Sequence, residues 1–189
     1  MIQPSPDTRI DGWDACSGYY YADSTINGFS HTHVSGTGCC DYGDVLLMPT
    51  VGKQQYRTTD PQSQRLAYAS SFSHKNEIAE PGYYSVFLDT YQVKAEISST
   101  KRGAIHRYTF PENTESGFII DLDYSLQRQT NSEMEIEVIS DTEICGHKKT
   151  TYWAFDQYIN FYAKFSKPFS YTLVTDSITT VSYTHLTLP

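Results

Sequence analysis

The alternation of apolar and polar positions predicts β-strands over most of the chain. Residues 93–100 are the clearest case, because Val93, Ala95 and Ile97 fall on one face and polar residues stand between them. A period of two places one face against a core and the other in water. Further short segments with strand character occur at residues 45–49, 83–90, 104–110, 118–124, 134–139, 143–148 and 158–166. Since no long segment has a helical period, the pattern predicts an all-β, antiparallel sandwich or barrel.

The first 45 residues have a different character. They are rich in Gly, Ser, Asp and Thr, but they also contain Trp13, Phe29 and three consecutive tyrosines at 19–21. Disordered segments are poor in aromatic residues, so this composition predicts long, structured loops with short strands. Ordered loops on a β-scaffold are where binding residues usually lie.

Charge and hydropathy exclude several classes of partner. The net charge is −8, and there is no Lys/Arg cluster that would neutralise phosphates, so we expect no nucleic acid and no anionic membrane surface as a partner. No apolar run approaches the ~20 residues of a transmembrane helix. The 16 Tyr and 9 Phe residues supply core volume and flat faces that can stack on sugars.

The densest group of candidate chemical residues is GFSHTHVSGTGCCDYGD at 28–44. His31 and His33 would point the same way on a strand, so they could ligate one metal ion. A cupin metal site would require Glu four or five residues after His33, where Thr37 and Gly38 stand instead. Metal ligation, sugar contact and a structural role therefore all stay open for the two histidines, and no metal site is assigned.

Other polar residues are weaker candidates. Asp14 and Asp41 suit sugar hydroxyls and turn caps equally well. His74 lies in a polar turn or strand start before Pro81-Gly82. The four cysteines, of which Cys39 and Cys40 are adjacent, form no C-x-x-C motif and leave their pairing open. No carboxylate pair stands out among the 22 acidic residues and no G-x-S-x-G occurs, so no catalytic residue is assigned.

Seven segments, in this order, resemble the amino-terminal domain of glycoside hydrolase family 92. They are SPDTR (5–9), GWDACSGYYY (12–21), GFSHTHVSGTGC (28–39), DYGDVLLMPT (41–50), FSHKNEIAEPGYYSVFL (72–88), HRYTFP (106–111) and YAKFSKPF (162–169). The resemblance implies an antiparallel β-sandwich of the super-sandwich type. It also implies that an (α/α)₆ catalytic barrel follows this domain in the parent protein, which would be a calcium-dependent exo-α-mannosidase acting with inversion on N-glycans and related mannosides.

The same resemblance assigns roles to the two parts of such an enzyme. The general acid, the base and the calcium ligands would belong to the missing barrel, so this fragment alone is expected to be inactive and to bind no calcium. Its partners would be the barrel in cis and a mannose-containing glycan, whose pocket its loops help to form. The candidate substrate-binding residues are Asp14, Cys16, His31, His33, Thr37, Gly38, Cys39, Asp41 and His74. The alternative is a stand-alone carbohydrate-binding module.

The resemblance also sets expectations for the ends of the chain and for its source. Family members begin upstream of Met1, so the sandwich is expected to be truncated there. Residues 181–189 resemble a translated sequencing adaptor, which leaves 1–180 as the predicted native part. Cys40 and Lys75 depart from the family pattern and put substrate preference in doubt. The parent is expected to be bacterial, and periplasmic or secreted.

Overall fold

The computed structural model describes residues 2–34, 40–56, 63–112 and 114–174, together with the backbone of 183–187. Within these ranges there are fourteen strands and two short 3₁₀ segments, at Trp13–Ala15 and Leu126–Arg128. The strands are β1 Ser5–Asp7, β2 Thr25–Ile26, β3 Gly28–Ser30, β4 Leu46–Val51, β5 Ser70–Glu80, β6 Tyr83–Leu88, β7 Val93–Ser99, β8 Ala104–Thr109, β9 Ser116–Asp121, β10 Thr130–Val138, β11 Glu143–Thr151, β12 Gln157–Lys164, β13 Ser170–Val174 and β14 Tyr183–Thr187.

The strands form three antiparallel sheets, as the alternation predicts. A six-stranded sheet has the order β1-β3-β4-β9-β14-β13, a five-stranded sheet has the order β2-β5-β6-β7-β8, and β10-β11-β12 form a three-stranded sheet. Among the described residues of the first 45, only β1, β2 and β3 are strands, each of two or three residues, so the prediction of long loops with short strands there is confirmed. No helix in the described ranges is long and apolar enough to cross a bilayer.

The six-stranded sheet is the middle layer, because β9 contributes side chains to a core on each of its faces. Ile119 lies in the core shared with the five-stranded sheet, whereas Phe118 and Ile120 lie in the core shared with the three-stranded sheet. A strand that is buried on both faces has a continuous apolar sequence instead of an alternating one, as residues 118–120 do. This arrangement confirms the predicted all-β sandwich.

The first core lies between the six- and five-stranded sheets. The predicted buried face of β7 is confirmed, since Val93 and Ala95 are fully buried and Ile97 is 3% exposed. The other apolar strand residues in this core are Ile26, Phe29, Leu46, Met48, Phe72, Val86, Leu88 and Ile119. Burial of this set supplies the main driving force for pairing the two sheets.

A buried ion pair connects the three-stranded sheet to the segment before β4. Lys148 of β11 and Asp44 have no exposed side-chain surface, and Lys148 Nζ lies 3.2 Å from Asp44 Oδ1. The ammonium also donates to the Tyr124 carbonyl. Asp44 Oδ2 accepts from Thr32 Oγ1 at 2.7 Å and from Gln157 Nε2 at 2.6 Å. Burial lowers the pKa of Lys148, and the Asp44 carboxylate offsets only part of that effect.

Replacing Lys148 by Met should destabilise the fold severely. The substitution leaves the Asp44 carboxylate buried without its counter-charge, so the free energy of unfolding should fall by about 3–5 kcal/mol. Urea unfolding of the two proteins measures this difference. The neighbouring Lys149 pairs with the exposed carboxylate of Asp156, so Lys149→Met is the matched control and should change the free energy of unfolding far less. Equal effects of the two substitutions would contradict the assigned role.

Candidate functional site

Segments 12–21 and 28–44 are in contact through Cys40. Its side chain is 2% exposed, and its Sγ donates to the Gly12 carbonyl at 3.0 Å and to the Ala15 carbonyl at 3.7 Å. Gly12 adopts φ +115°, a conformation that disfavours a side chain. The turn that carries Trp13 therefore packs on the start of the DYGD segment.

The β11–β12 hairpin contacts segment 28–44 through Asp41, the residue after Cys40. Asp41 is 4% exposed, and its Oδ2 accepts from the Ala154 backbone N at 3.3 Å. Its Oδ1 accepts from Gln129 Nε2 at 2.7 Å and from the Tyr42 backbone N at 2.9 Å. Asp41 was predicted as a sugar contact, but in this structure its carboxylate holds the hairpin against the loop segment.

Three large aromatic side chains are exposed on the segments that converge on Cys40 and Asp41. Trp13 is 74% exposed, Trp153 is 64% exposed and Phe155 is 81% exposed. We call these three residues the aromatic rim. Sequence reasoning gave no role to Trp153 and Phe155, although three aromatic residues within TYWAF, in a stretch without alternation, are a usable signal. Exposed aromatics of this size usually mark a surface that binds another molecule or domain.

Asp14 and Cys16 lie beside the aromatic rim. Asp14 accepts from Arg9 Nη1 at 2.9 Å and its side chain is 56% exposed. Cys16 is a free thiol whose Sγ donates to the Trp13 carbonyl at 2.8 Å. Asp14 is therefore exposed at this turn, whereas Cys16 is half-buried and packs against the first core. Three further candidates belong to segment 28–44 and lie outside the described residues: Thr37, Gly38 and Cys39.

His33 is a buried member of an ion pair. Its Nε2 lies 2.9 Å from Asp7 Oδ1 and 2.9 Å from Ser30 Oγ, and its Nδ1 lies 2.7 Å from the Gln3 carbonyl. Burial lowers the pKa of His33, but the Asp7 charge and the hydrogen bonds to Asp7 and Gln3 raise it by more. The pKa therefore lies above its ordinary value. Ser17 of segment 12–21 and His33 of segment 28–44 both line an open cleft of about 850 Å³.

His31 does not share a partner with His33. Its Nδ1 lies 2.6 Å from the Val45 carbonyl and its Nε2 lies 3.2 Å from Nε2 of His106 in β8. Burial lowers the pKa of His31, and burial together with the neighbouring His31 lowers the pKa of His106 to about 3. The structure therefore does not bring His31 and His33 together as one metal-binding pair. Among the described residues, no three His, Cys, Asp or Glu side chains converge on a point that could hold a metal ion.

His74 lies in a separate cluster. Its Nδ1 is 2.6 Å from Glu77 Oε2, and its ring stacks on Tyr21 with the centroids 4.3 Å apart. Glu77 also accepts from the hydroxyls of Tyr19, at 3.0 Å, and Tyr84, at 2.6 Å. The hydrogen bond to Glu77 raises the pKa of His74. An irregularity in β5 between Phe72 and Glu77 places these groups.

Comparison with known proteins gives consistent matches. Residues 1–186 match the glycosyl hydrolase family 92 N-terminal domain. A family 92 α-mannosidase from Bacteroides thetaiotaomicron, solved in complex with mannoimidazole, is 32% identical with a TM-score of 0.86, and the match covers 99% of this chain and 27% of that chain. These findings confirm the predicted family and its β-sandwich. The match overlaps the segment 181–189, whose foreign origin stays a prediction.

Two further relatives extend the comparison. A second family 92 glycosyl hydrolase has a similar fold, with a TM-score of 0.77 at 23% identity, and the match covers 100% of this chain and 27% of that one. An uncharacterized secreted glycosidase from Arthroderma benhamiae is 29% identical over 107 residues, which is 55% of this chain and 13% of that protein. The chain therefore spans little more than a quarter of the solved relatives it matches.

The His33–Asp7 pair predicts the direction of a pH effect on stability. Because the pKa of His33 is raised in the folded state, the stabilising contribution is fully present below the ordinary histidine value of about 6.5 and is lost as pH rises through the folded-state pKa. The free energy of unfolding should therefore decrease above about pH 6.5. Urea unfolding at a series of pH values should show this decrease in the wild type and a smaller one in His33→Gln. His147→Gln, a substitution at the protein surface, should keep the wild-type profile. An unchanged profile in His33→Gln would contradict the assignment.

Proposed function

The chain belongs to glycosyl hydrolase family 92 as its N-terminal domain, and from this premise we propose that it forms the sandwich part of an exo-acting α-mannosidase. The complete enzyme would remove terminal α-linked mannose from glycans, including N-glycans, with inversion. The α-mannosidase that binds mannoimidazole supports this proposal, since it matches the chain over nearly its whole length. Because that relative is much longer, the reaction itself is assigned to residues outside this sequence.

We place the catalytic acid, the base and the calcium in the (α/α)₆ barrel that follows the sandwich. An inverting reaction requires two carboxyl groups about 6.5–9.5 Å apart with a water between them. In segment 28–44, Asp41 and Asp44 are buried and already accept hydrogen bonds within the protein. The described residues also lack a converging set of three metal ligands. We infer that the fragment alone is inactive and that its catalytic partner is the barrel in cis.

The aromatic rim carries the proposed role of this domain. Trp13, Trp153 and Phe155 are exposed, yet the segments that bear them are fixed to one another through Cys40 and Asp41. Flat apolar faces on a rigid support can stack on a sugar ring and can pack against a second domain. We therefore propose that the rim lies where the sandwich meets the barrel and forms one wall of the mannose pocket, with Asp14 and Cys16 beside it.

The alternative is a stand-alone carbohydrate-binding module, and the exposure of the rim is the observation that favours it. Titration calorimetry of the isolated chain with methyl α-mannoside separates the two proposals. Half a pocket offers few simultaneous contacts, so we expect no saturable heat at millimolar sugar. Saturable binding that Trp153→Ala abolishes would favour the module instead.

We also propose that the parent enzyme is a bacterial periplasmic or secreted protein and that residues 1–180 are its native part. A relative named as a secreted glycosidase supports export. Reading the gene downstream of residue 180 tests the domain boundary, because the barrel should follow in frame. An unrelated sequence or a stop codon in the intact gene would contradict both the boundary and the enzyme assignment.

Trp153→Ala in the complete enzyme should raise KM by about tenfold or more, because a lost stacking face of this size contributes on the order of 1–3 kcal/mol. Steady-state kinetics on a mannobioside measures the change. Tyr158 is also exposed, at 57%, but it lies on the outer face of β12, so Tyr158→Ala is the control and should leave KM unchanged. Equal effects of the two substitutions would contradict the role of the rim.

A further inference from the structure

Two histidines that are distant in sequence face each other where the six- and five-stranded sheets meet. His31 follows β3 and His106 lies in β8, and their Nε2 atoms are 3.2 Å apart. The ring centroids are 5.0 Å apart and the ring planes are inclined by 33°. We propose that His31 and His106 bind a divalent transition-metal ion, such as Zn²⁺, Ni²⁺ or Cu²⁺, through these two Nε2 atoms.

The separation of the two nitrogens fits shared coordination. Zinc–nitrogen bonds are about 2.0–2.1 Å long, and tetrahedral geometry then separates two nitrogen ligands by roughly 3.3–3.4 Å. The observed 3.2 Å is within a few tenths of an ångström of that separation. A hydrogen bond between the two rings has a similar length, so a bound metal ion would replace that hydrogen bond.

Both remaining ring nitrogens have the partners that metal-binding histidines require. The Val45 carbonyl, 2.6 Å from Nδ1 of His31, can only accept, so Nδ1 carries the proton and Nε2 keeps its lone pair. The Tyr108 hydroxyl lies 2.8 Å from Nδ1 of His106 and can donate a hydrogen bond to it or accept one from it; in the tautomer in which it accepts, Nε2 of His106 has a free lone pair for the metal ion. Such partners fix the tautomer and orient the ring towards a metal ion.

The ligand set indicates the class of metal and the strength of binding. Imidazole nitrogens favour Zn²⁺, Cu²⁺ and Ni²⁺ over Ca²⁺ and Mg²⁺, which prefer oxygen. With two protein ligands, and no third His, Cys, Asp or Glu joining them among the described residues, water completes the coordination sphere. The bound ion would connect the segment after β3 to β8 of the five-stranded sheet and so stabilise the position of that segment. This inference does not depend on the proposed mannosidase role.

Thermal unfolding of the 189-residue chain with added metal provides the first test. A ligand that binds only the folded state raises Tm, so saturating ZnCl₂ or NiCl₂ should raise it by about 5 °C or more. MgCl₂ at the same concentration should give no increase. Electron paramagnetic resonance of the chain with one equivalent of Cu²⁺ should show coupling to two imidazole nitrogens.

Three variants link the response to this site. His106→Gln keeps a hydrogen-bond donor towards His31 but removes a ligand, so it should lose the Zn²⁺-dependent increase in Tm. Tyr108→Phe removes the partner of His106 Nδ1 and should weaken Zn²⁺ affinity by about tenfold. His147→Gln, a change of the same type on the three-stranded sheet, should respond like the wild type. A wild-type chain without a Zn²⁺-dependent Tm shift or a two-nitrogen Cu²⁺ spectrum would overturn the proposal, as would an unchanged response in His106→Gln. Should His106→Gln fail to fold, the wild-type Cu²⁺ spectrum alone decides.

Discussion

The ion pair between Lys148 and Asp44 is the interaction on which the arrangement of the loops depends. Removing both charges from water is unfavourable by several kcal/mol per ion, so the pair is stable only because further hydrogen bonds satisfy it. Thr32 and Gln157 donate hydrogen bonds to the carboxylate, and the ammonium donates one to the Tyr124 carbonyl. The pair thereby fixes the three-stranded sheet to the DYGD segment at Asp44. Three positions earlier in the same segment, Asp41 contacts the β11–β12 hairpin.

The polar residues of the loop region mainly connect its segments to one another. His33 and Asp41 are buried and their hydrogen bonds are made within the protein. By contrast, the three side chains of the aromatic rim are largely exposed. A wall built in this way presents a rigid apolar face without having to order flexible side chains when it meets a sugar or a second domain.

The sequence could predict those features that are local. The alternation in β7 predicted which of its faces is buried. The apolar run at 118–120 predicted a strand, and the structure shows that this strand is buried on both faces. The ordered motifs gave the family, and the two loop segments proved to be in contact. The partners of the polar candidates could not be predicted: His31 contacts His106, His33 contacts Asp7 and His74 contacts Glu77. Local spacing gives the direction of a side chain but not its partner.

By itself, the sequence determined the strands, the loop-rich first 45 residues and the family, because each is written in neighbouring residues or in an ordered set of motifs. Only the tertiary structure decided the partners of the charged and aromatic residues. The alternation places Lys148 on the same face of β11 as Ile144, yet nothing in the chain identifies Asp44 as its counter-ion. His31 meets His106 from 75 positions away, and Asp41 meets Ala154 from 113 positions away. Such contacts arise from the stacking of three sheets, which a pattern with a period of two residues does not specify.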